Sequence, residues 1–266
     1  MRHEAKYDVP GLRAGLEVLK ALCGAPSGLG AADIAERTGL NRQMVFRCLR
    51  TLAAEGWVSE VAAGPKYTAS LLGFHYLSKP VARMDLMSLA MPTLNDLWEE
   101  LGECVYLSVI HQDMMMMIYH RDGRRQTRIG GTIGELYLPY ASAPGKVLMA
   151  FGDEALVKSW NRKGYKPLTE KTITSADAMR RELKQIRGQG FATDNEEYSV
   201  GGVCYAAPVF DYSGKVTAAL GTTVLTVHYS LAELQEVLGP KIQAAARRIS
   251  LALGDGAHAG LKIGIS

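Results

Sequence analysis

The chain is 266 residues long, 47% hydrophobic and 21% charged, with a formal net charge of +3. That is enough for two compact domains, or one large one, with a core that needs no staples. No apolar run reaches the ~18 residues of a membrane span and the N-terminus has no signal-peptide pattern; a cytoplasmic protein with no membrane partner is expected.

Cys23, Cys48, Cys104 and Cys204 lack metal-like spacing and read as free thiols of a reducing compartment. No metal and no cofactor are expected. The net charge is too small to argue nucleic-acid binding by itself. Residues 1–50, however, hold eight Lys/Arg against five Asp/Glu, so the whole surplus can be accounted for at this end.

Leu12, Leu16, Leu19 and Leu22 predict an amphipathic helix, broken over residues 24–30 by Pro26 and three glycines. Residues 31–52, AADIAERTGLNRQMVFRCLRTL, then predict two short helices around a turn. Ile34 and Ala35 make the first helix apolar on one side, Gly39 tolerates positive φ at the turn, and Asn41 stands at an N-cap. Val45, Cys48, Leu49 and Leu52 recur at three- and four-residue steps, so one face of the second helix is buried. Its other face carries Arg42, Gln43, Arg47 and Arg50. This is the skeleton of a helix-turn-helix whose second helix enters the DNA major groove, with an ordinary αα-hairpin bearing a solvated basic face as the bland alternative.

Strands at 57–61 and 66–69 around Ala-Ala-Gly-Pro add a β-hairpin, which makes a winged helix-turn-helix over residues 8–70. Residues 71–101 read as linker and dimerisation helices, interrupted at Pro80 and broken or kinked at Pro92. Met87, Met91, Leu94, Trp98 and Leu101 form their stripe.

Beyond Gly102 a hairpin is predicted over 103–110 and 114–120, then strand or loop over 127–133 and 135–138. Ser142, Asp153 and Ser175 cap helices running to Phe151, Asn161 and Arg187, the last closed by Gly188 and Gly190. Strands 203–210 and 215–226 flank an Asp-Tyr-Ser-Gly turn. Ser230 caps a final helix, interrupted at Gly239-Pro240 and resuming to Leu253, before a flexible tail over 254–266. The fold class is α+β, with residues 102–253 forming a sensor domain around a central sheet.

Several motifs together resemble the IclR family of bacterial transcriptional regulators. These are Leu40-Asn-Arg-Gln-Met-Val-Phe-Arg-Cys-Leu49, then Leu52, Glu55-Gly56 and a wing containing Tyr67. Ala141-Ser-Ala-Pro-Gly-Lys-Val-Leu-Met-Ala150, Gly190-Phe-Ala-Thr-Asp-Asn-Glu-Glu197 and the run from Gly201 to Pro208 follow. The resemblance spans roughly residues 10–253 and implies a winged helix-turn-helix, a linker helix and a GAF-like effector domain. It implies a regulator, not an enzyme, whose partners are double-stranded operator DNA and a small organic acid, acting as a homodimer or homotetramer.

The DNA-contacting residues expected are Asn41, Arg42, Gln43, Phe46, Arg47, Arg50 and Lys66. Arg42 and Gln43 lie where side chains reach base edges, and Arg47, Arg50 and Lys66 where they hold phosphates. Arg47 could instead pair with Glu36. The effector pocket implied by the resemblance takes in Ser142, Ala143, Pro144, Gly145, Asp194, Cys204, Gly221 and Thr223. Met115, Met117, Tyr137 and Tyr140 add apolar and aromatic surface, which leans toward an aromatic acid.

Three positions depart from the family pattern: Gly221 for a common serine, which enlarges the space, Tyr140 for a histidine, and Met44 for a small hydroxyl residue. Ser142 and Cys204 are the candidate nucleophiles for an alternative small-acid enzyme, and no competent base accompanies either. A DNA-binding protein whose sensor has lost its ligand is a further alternative. His111 and His120 are candidates to meet across the first hairpin as metal ligands, although two histidines without a third are more often surface or core residues.

Overall fold

A computed structural model describes residues 9–25, 27–61, 64–72 and 85–256. The expected linker around Pro80 and the tail from residue 257 lie outside the described residues. The chain forms two compact units that divide between residues 84 and 85.

In the first unit, α1 (Pro10–Cys23) is followed by β1 (Leu29–Gly30), α2 (Ala31–Thr38), α3 (Arg42–Ala54), β2 (Val58–Val61) and β3 (Lys66–Ala69). Gly39 adopts φ 71° and ends α2, and Asn41 caps α3 by accepting the Met44 N–H at 2.8 Å. Val45, Cys48 and Leu49 pack with Ile34 and with Val18 and Leu22 of α1. The leucine stripe expected on α1 is corrected. The helix offers two apolar faces, and it buries Ala14, Val18 and Leu22 while Leu12 and Leu16 stay 63% and 49% exposed. Small Ala14 and compact Val18 suit the close approach to α2 and α3. The wing is three-stranded, in the order β1-β3-β2, because residues 29–30 pair with Tyr67 and Lys66.

The second unit opens with α4 (Leu86–Leu101), which runs unbroken through Pro92 and is capped by Asp85. Its buried face is Ala90, Leu94 and Leu97, with Met87, Met91, Trp98 and Leu101 partly buried beside it. Strands β4 (Val105–His111), β5 (Met114–Arg121) and β6 (Leu136–Tyr137) come next, then α5 (Ala143–Phe151), α6 (Glu154–Lys163) and α7 (Ala176–Gln189). Strands β7 (Ala192–Asn195), β8 (Gly202–Phe210) and β9 (Val216–Leu225) complete an antiparallel sheet ordered β6-β5-β4-β9-β8-β7. Residues 127–133 form no strand. Gly188 lies inside α7, which ends at Gly190 with φ 82°.

The last helix is continuous. Ser230 and Glu233 cap α8 (Leu231–Glu233), which passes through a π-turn at Leu234–Leu238 into α9 (Gly239–Ala252). The Gly239 N–H reaches back five residues to Leu234, so the wider turn absorbs the missing N–H of Pro240.

Strand alternation divides the sheet into two faces. Val105, Leu107, Val203, Tyr205, Leu220 and Val224 pack with α4 and α9. On the opposite face Ala206, Ala219 and Cys204 pack with Val147, Met149, Met179 and Leu183 of α5 and α7. Among the described residues no helix is long and apolar enough to cross a membrane, and no group of three His, Cys, Asp or Glu is placed to hold a metal ion. His111 pairs with Met114 and His120 with Tyr106, at opposite ends of the hairpin. They cannot share a metal, which corrects that expectation.

Candidate functional site

Two surfaces carry the chemistry, one on each unit. On α3, Arg42, Gln43, Phe46, Arg47 and Arg50 are all exposed, opposite the buried Val45, Cys48 and Leu49. Phe46, 54% exposed, stands in the middle of this face. Met44 is partly buried against the core and is not part of it. No ion pair joins Arg47 to Glu36 among the described residues, so both stand exposed. Asn41 spends its side-chain oxygen on the cap, leaving only its amide group to face outward. Lys66 is exposed on β3 of the wing. Next to it in sequence, the Tyr67 hydroxyl donates to Glu60 at 3.2 Å and feels the charge of Arg50. Helix and wing therefore present a row of cations and amides around one apolar ring.

In the second unit, strand register sets Asp194, Cys204 and Thr223 side by side on β7, β8 and β9. The Cys204 Sγ donates to Asp194 Oδ2 at 3.4 Å and lies 3.0 Å from Thr223 Oγ1. The Thr223 hydroxyl donates in turn to the Tyr106 hydroxyl at 3.4 Å, which donates to the Thr222 carbonyl at 3.1 Å. Burial and the Asp194 carboxylate push the Cys204 thiol well above its ordinary value, the reverse of what a nucleophile needs. Cys104, on the far side of Thr223, is pushed up to about 11, again by burial.

Gly221 does not enlarge the space. A Cβ there would stand 2.7 Å from Cε2 of Tyr106, so the tyrosine ring already fills the room that glycine provides. Met117 packs with Tyr106 and Cys104, and Tyr137 against them. Tyr137 also makes an edge contact with Tyr198 at 5.8 Å.

The start of α5 is less suited to a carboxylate than the sequence suggests. The Ser142 hydroxyl accepts the Gly145 N–H at 3.3 Å, and Pro144 has no N–H. Of the first-turn donors only Ala143 is left, a poor anion site by itself. Gly145 is required by packing, since a Cβ would collide with the Pro139 backbone. Two further expected residues are turned to other work. The Tyr140 hydroxyl both donates to and accepts from the Lys166 backbone at 3.1 Å, and its ring makes edge contacts with Trp160 and Tyr165. Met115 is buried in the α5–α7 core cluster.

Beneath the row lies a charged group that pattern reading missed. Lys146, 1% exposed, donates to Glu182 at 2.8 Å and to Glu197 at 2.6 Å. Burial opposes its charge, but the two carboxylates outweigh burial and raise its pKa. Burial lifts Glu197 to about 6, against the pull of Lys146. Asp194 is also raised by burial, opposed by the Glu197 N–H that donates to it at 2.6 Å and by Lys146. The available signal was a lysine inside an apolar helix with no polar face. Tyr106 carried none, since a tyrosine in an alternating strand reads as core.

A winged helix-turn-helix followed by a helix-flanked antiparallel sheet defines a two-domain regulator architecture. Residues 12–62 match the IclR helix-turn-helix domain and residues 78–251 the bacterial transcriptional regulator IclR C-terminal domain. The chain is 33% identical over 238 residues to the HTH-type transcriptional regulator KdgR of Escherichia coli, covering 89% of this chain and 90% of that protein. It is 33% identical over 246 residues to the E. coli DNA-binding transcriptional repressor YiaJ, covering 90% and 86%. The crystal structure of a putative IclR transcriptional regulator from Silicibacter has the same fold, with TM-score 0.80 at 20% identity over 92% of this chain and 96% of that one. The chain belongs to the IclR family of bacterial transcriptional regulators. Members of this family are regulators, not enzymes.

Proposed function

We propose that the chain is a sequence-specific, ligand-responsive transcriptional regulator whose effector is a small organic acid bound on the α5–α7 face of the sheet. It acts in the cytoplasm as a homodimer or dimer of dimers, two copies of α3 reading the half-sites of a pseudo-palindrome about one helical turn apart. The observation that carries the DNA reading is the exposed α3 face, with Arg42, Gln43 and Phe46 toward its N-terminal half and Arg47 and Arg50 beyond. Arg pairs with guanine, Gln with adenine, and an apolar ring with the thymine methyl.

For the effector, support comes from the buried row Asp194–Cys204–Thr223–Tyr106, polar groups that fix orientation in an otherwise apolar setting. Of the four residues that lean toward an aromatic acid, Tyr140 and Met115 are committed to the core, while Met117 and Tyr137 stay beside Tyr106. Only an effector with different affinity for two states shifts DNA binding. Footprinting on the upstream DNA of its own gene, with and without a panel of aliphatic and aromatic acids, tests the reading. A protected site that one acid weakens or strengthens is expected. Absence of any protected site would overturn it.

A further inference from the structure

An acid needs a cation or several N–H donors, and the row described above supplies neither. Asp194 is itself a carboxylate, Lys146 is held by two glutamates, and the start of α5 offers the Ala143 N–H alone. His120 lies on the same face of the sheet. It stands on β5 opposite Tyr106, whose ring covers Gly221 and whose hydroxyl touches Thr223.

Its side chain is 9% exposed, and Nε2 lies 3.0 Å from Asp122 Oδ1. Arg128 donates to the other oxygen of Asp122 at 3.0 Å. Arg128 and His120 together hold Asp122 down to about 2, so it is an anion and the imidazole must carry its proton on Nε2. Nδ1 is buried and has no hydrogen-bond partner among the described residues. It faces the loop leading to β6, where a Cβ at Gly131 would stand 3.0 Å from it and 2.8 Å from the Met117 sulfur. The same loop reaches the far strands, since a Cβ at Gly202 would stand 2.7 Å from the Ile129 side chain. The loop thus spans the face from His120 to the start of β8.

We propose that His120, oriented by Asp122, is the anion-recognition residue of the effector site: its Nδ1–H donates to the effector carboxylate. With Nε2–H already given to Asp122, a second donor at Nδ1 makes the bound ring an imidazolium. Among the described residues the charged or titratable groups around the ring are Asp122, Arg128 behind it, Tyr106 across the strand pair, and Cys104 and Tyr137, which pack with Met117 and Tyr106. This inference rests on the effector reading above.

Imidazole 15N spectra of the full-length protein report which ring nitrogens are protonated. Pyruvate, acetate and benzoate are the probes, and backbone amide shifts around Cys204 and Thr223 independently report occupancy of the site. Occupancy by a carboxylate should move the His120 Nδ1 resonance to the position of a protonated, hydrogen-bonded nitrogen. Both His120→Gln and Asp122→Asn should weaken that probe roughly 10- to 100-fold, the worth of a charge-assisted hydrogen bond. Asp122→Asn guards against a folding defect in the histidine variant. If a probe shifts the Cys204–Thr223 amides while the His120 Nδ1 resonance stays where it was and the variants bind as before, the inference is overturned and the effector reading survives. If no carboxylate shifts those amides, the acid-effector reading fails, and this inference with it.

Discussion

Tyr106 occupies the space that a side chain at Gly221 would need. A Cβ on residue 221 would come within 2.9 Å of Cζ of the ring and 2.6 Å of the Tyr205 carbonyl oxygen. Gly221→Ser should therefore destabilise the second unit by about 1–3 kcal/mol, the usual cost of overpacking. Urea unfolding followed by the signals of that unit measures it. An unshifted midpoint would show that Tyr106 yields without cost.

On α3 the cations differ in position, so their loss should differ in kind. Arg42→Ala should relax base preference at one position of each half-site by about 1–3 kcal/mol. Arg50→Ala and Lys66→Ala should weaken all sequences alike and lower the salt slope of binding by roughly 0.9 per lost phosphate contact. Titrations on matched and scrambled operators at several salt concentrations separate the two. Equal behaviour of the three variants would count against the orientation of α3.

Asn41 is a cap before it is anything else. Asn41→Ala should cost about 1 kcal/mol through the lost bond to Met44, whereas Asn41→Ser should keep most of the stability. If the serine variant melts like wild type yet binds DNA less well, the Asn41 amide also touches the operator. Identical losses of stability in both variants would rule out capping as its contribution.

Glu197 ties stability to pH. Its folded pKa is raised to about 6 from an ordinary 4.5. Its contribution is therefore fully present below pH 4.5 and is lost as pH rises through 6. Relative to Glu197→Gln, the wild type should lose roughly 2 kcal/mol between those limits. Comparing the two proteins cancels the exposed carboxylates, which titrate in the opposite sense. A stability difference that does not change between pH 4.5 and 7 would contradict the burial of this group.

Much of this architecture is legible in the sequence because it rests on local chemistry. Gly39, Asn41, Ser142, Asp153 and Ser230 sit where their backbone or side-chain preferences place them, and they mark helix ends without tertiary help. The edge strands β1 and β7 are harder to read, since two to four residues hold too little pattern and their pairing partners are distant. On α1 two apolar stripes compete, and only the fit to α2 and α3 decides between them.

The candidate site residues divide in the same way. Asp194, Cys204 and Thr223 become neighbours through strand register, and the family resemblance supplied them. Tyr106, His120 and Lys146 are functional candidates because of what surrounds them after folding: a glycine across the ladder, an aspartate two residues on, two glutamates from other elements. The glycine and the two glutamates leave no mark in spacing, and although Asp122 stands close to His120 in the chain, the sequence does not show that it touches the ring.

The central position of β9 has a mechanical consequence. Gly221 and Thr223 face the polar row, and Leu220 and Val224, the residues flanking this stretch, pack on the side of α4 and α9. The backbone joining these neighbours is covalent and stiff. Strain applied at Thr223 therefore reaches the far face of the sheet within a single peptide unit, with no chain of side chains to carry it, and α4 on that face is the element from which the chain leaves for the DNA-binding unit.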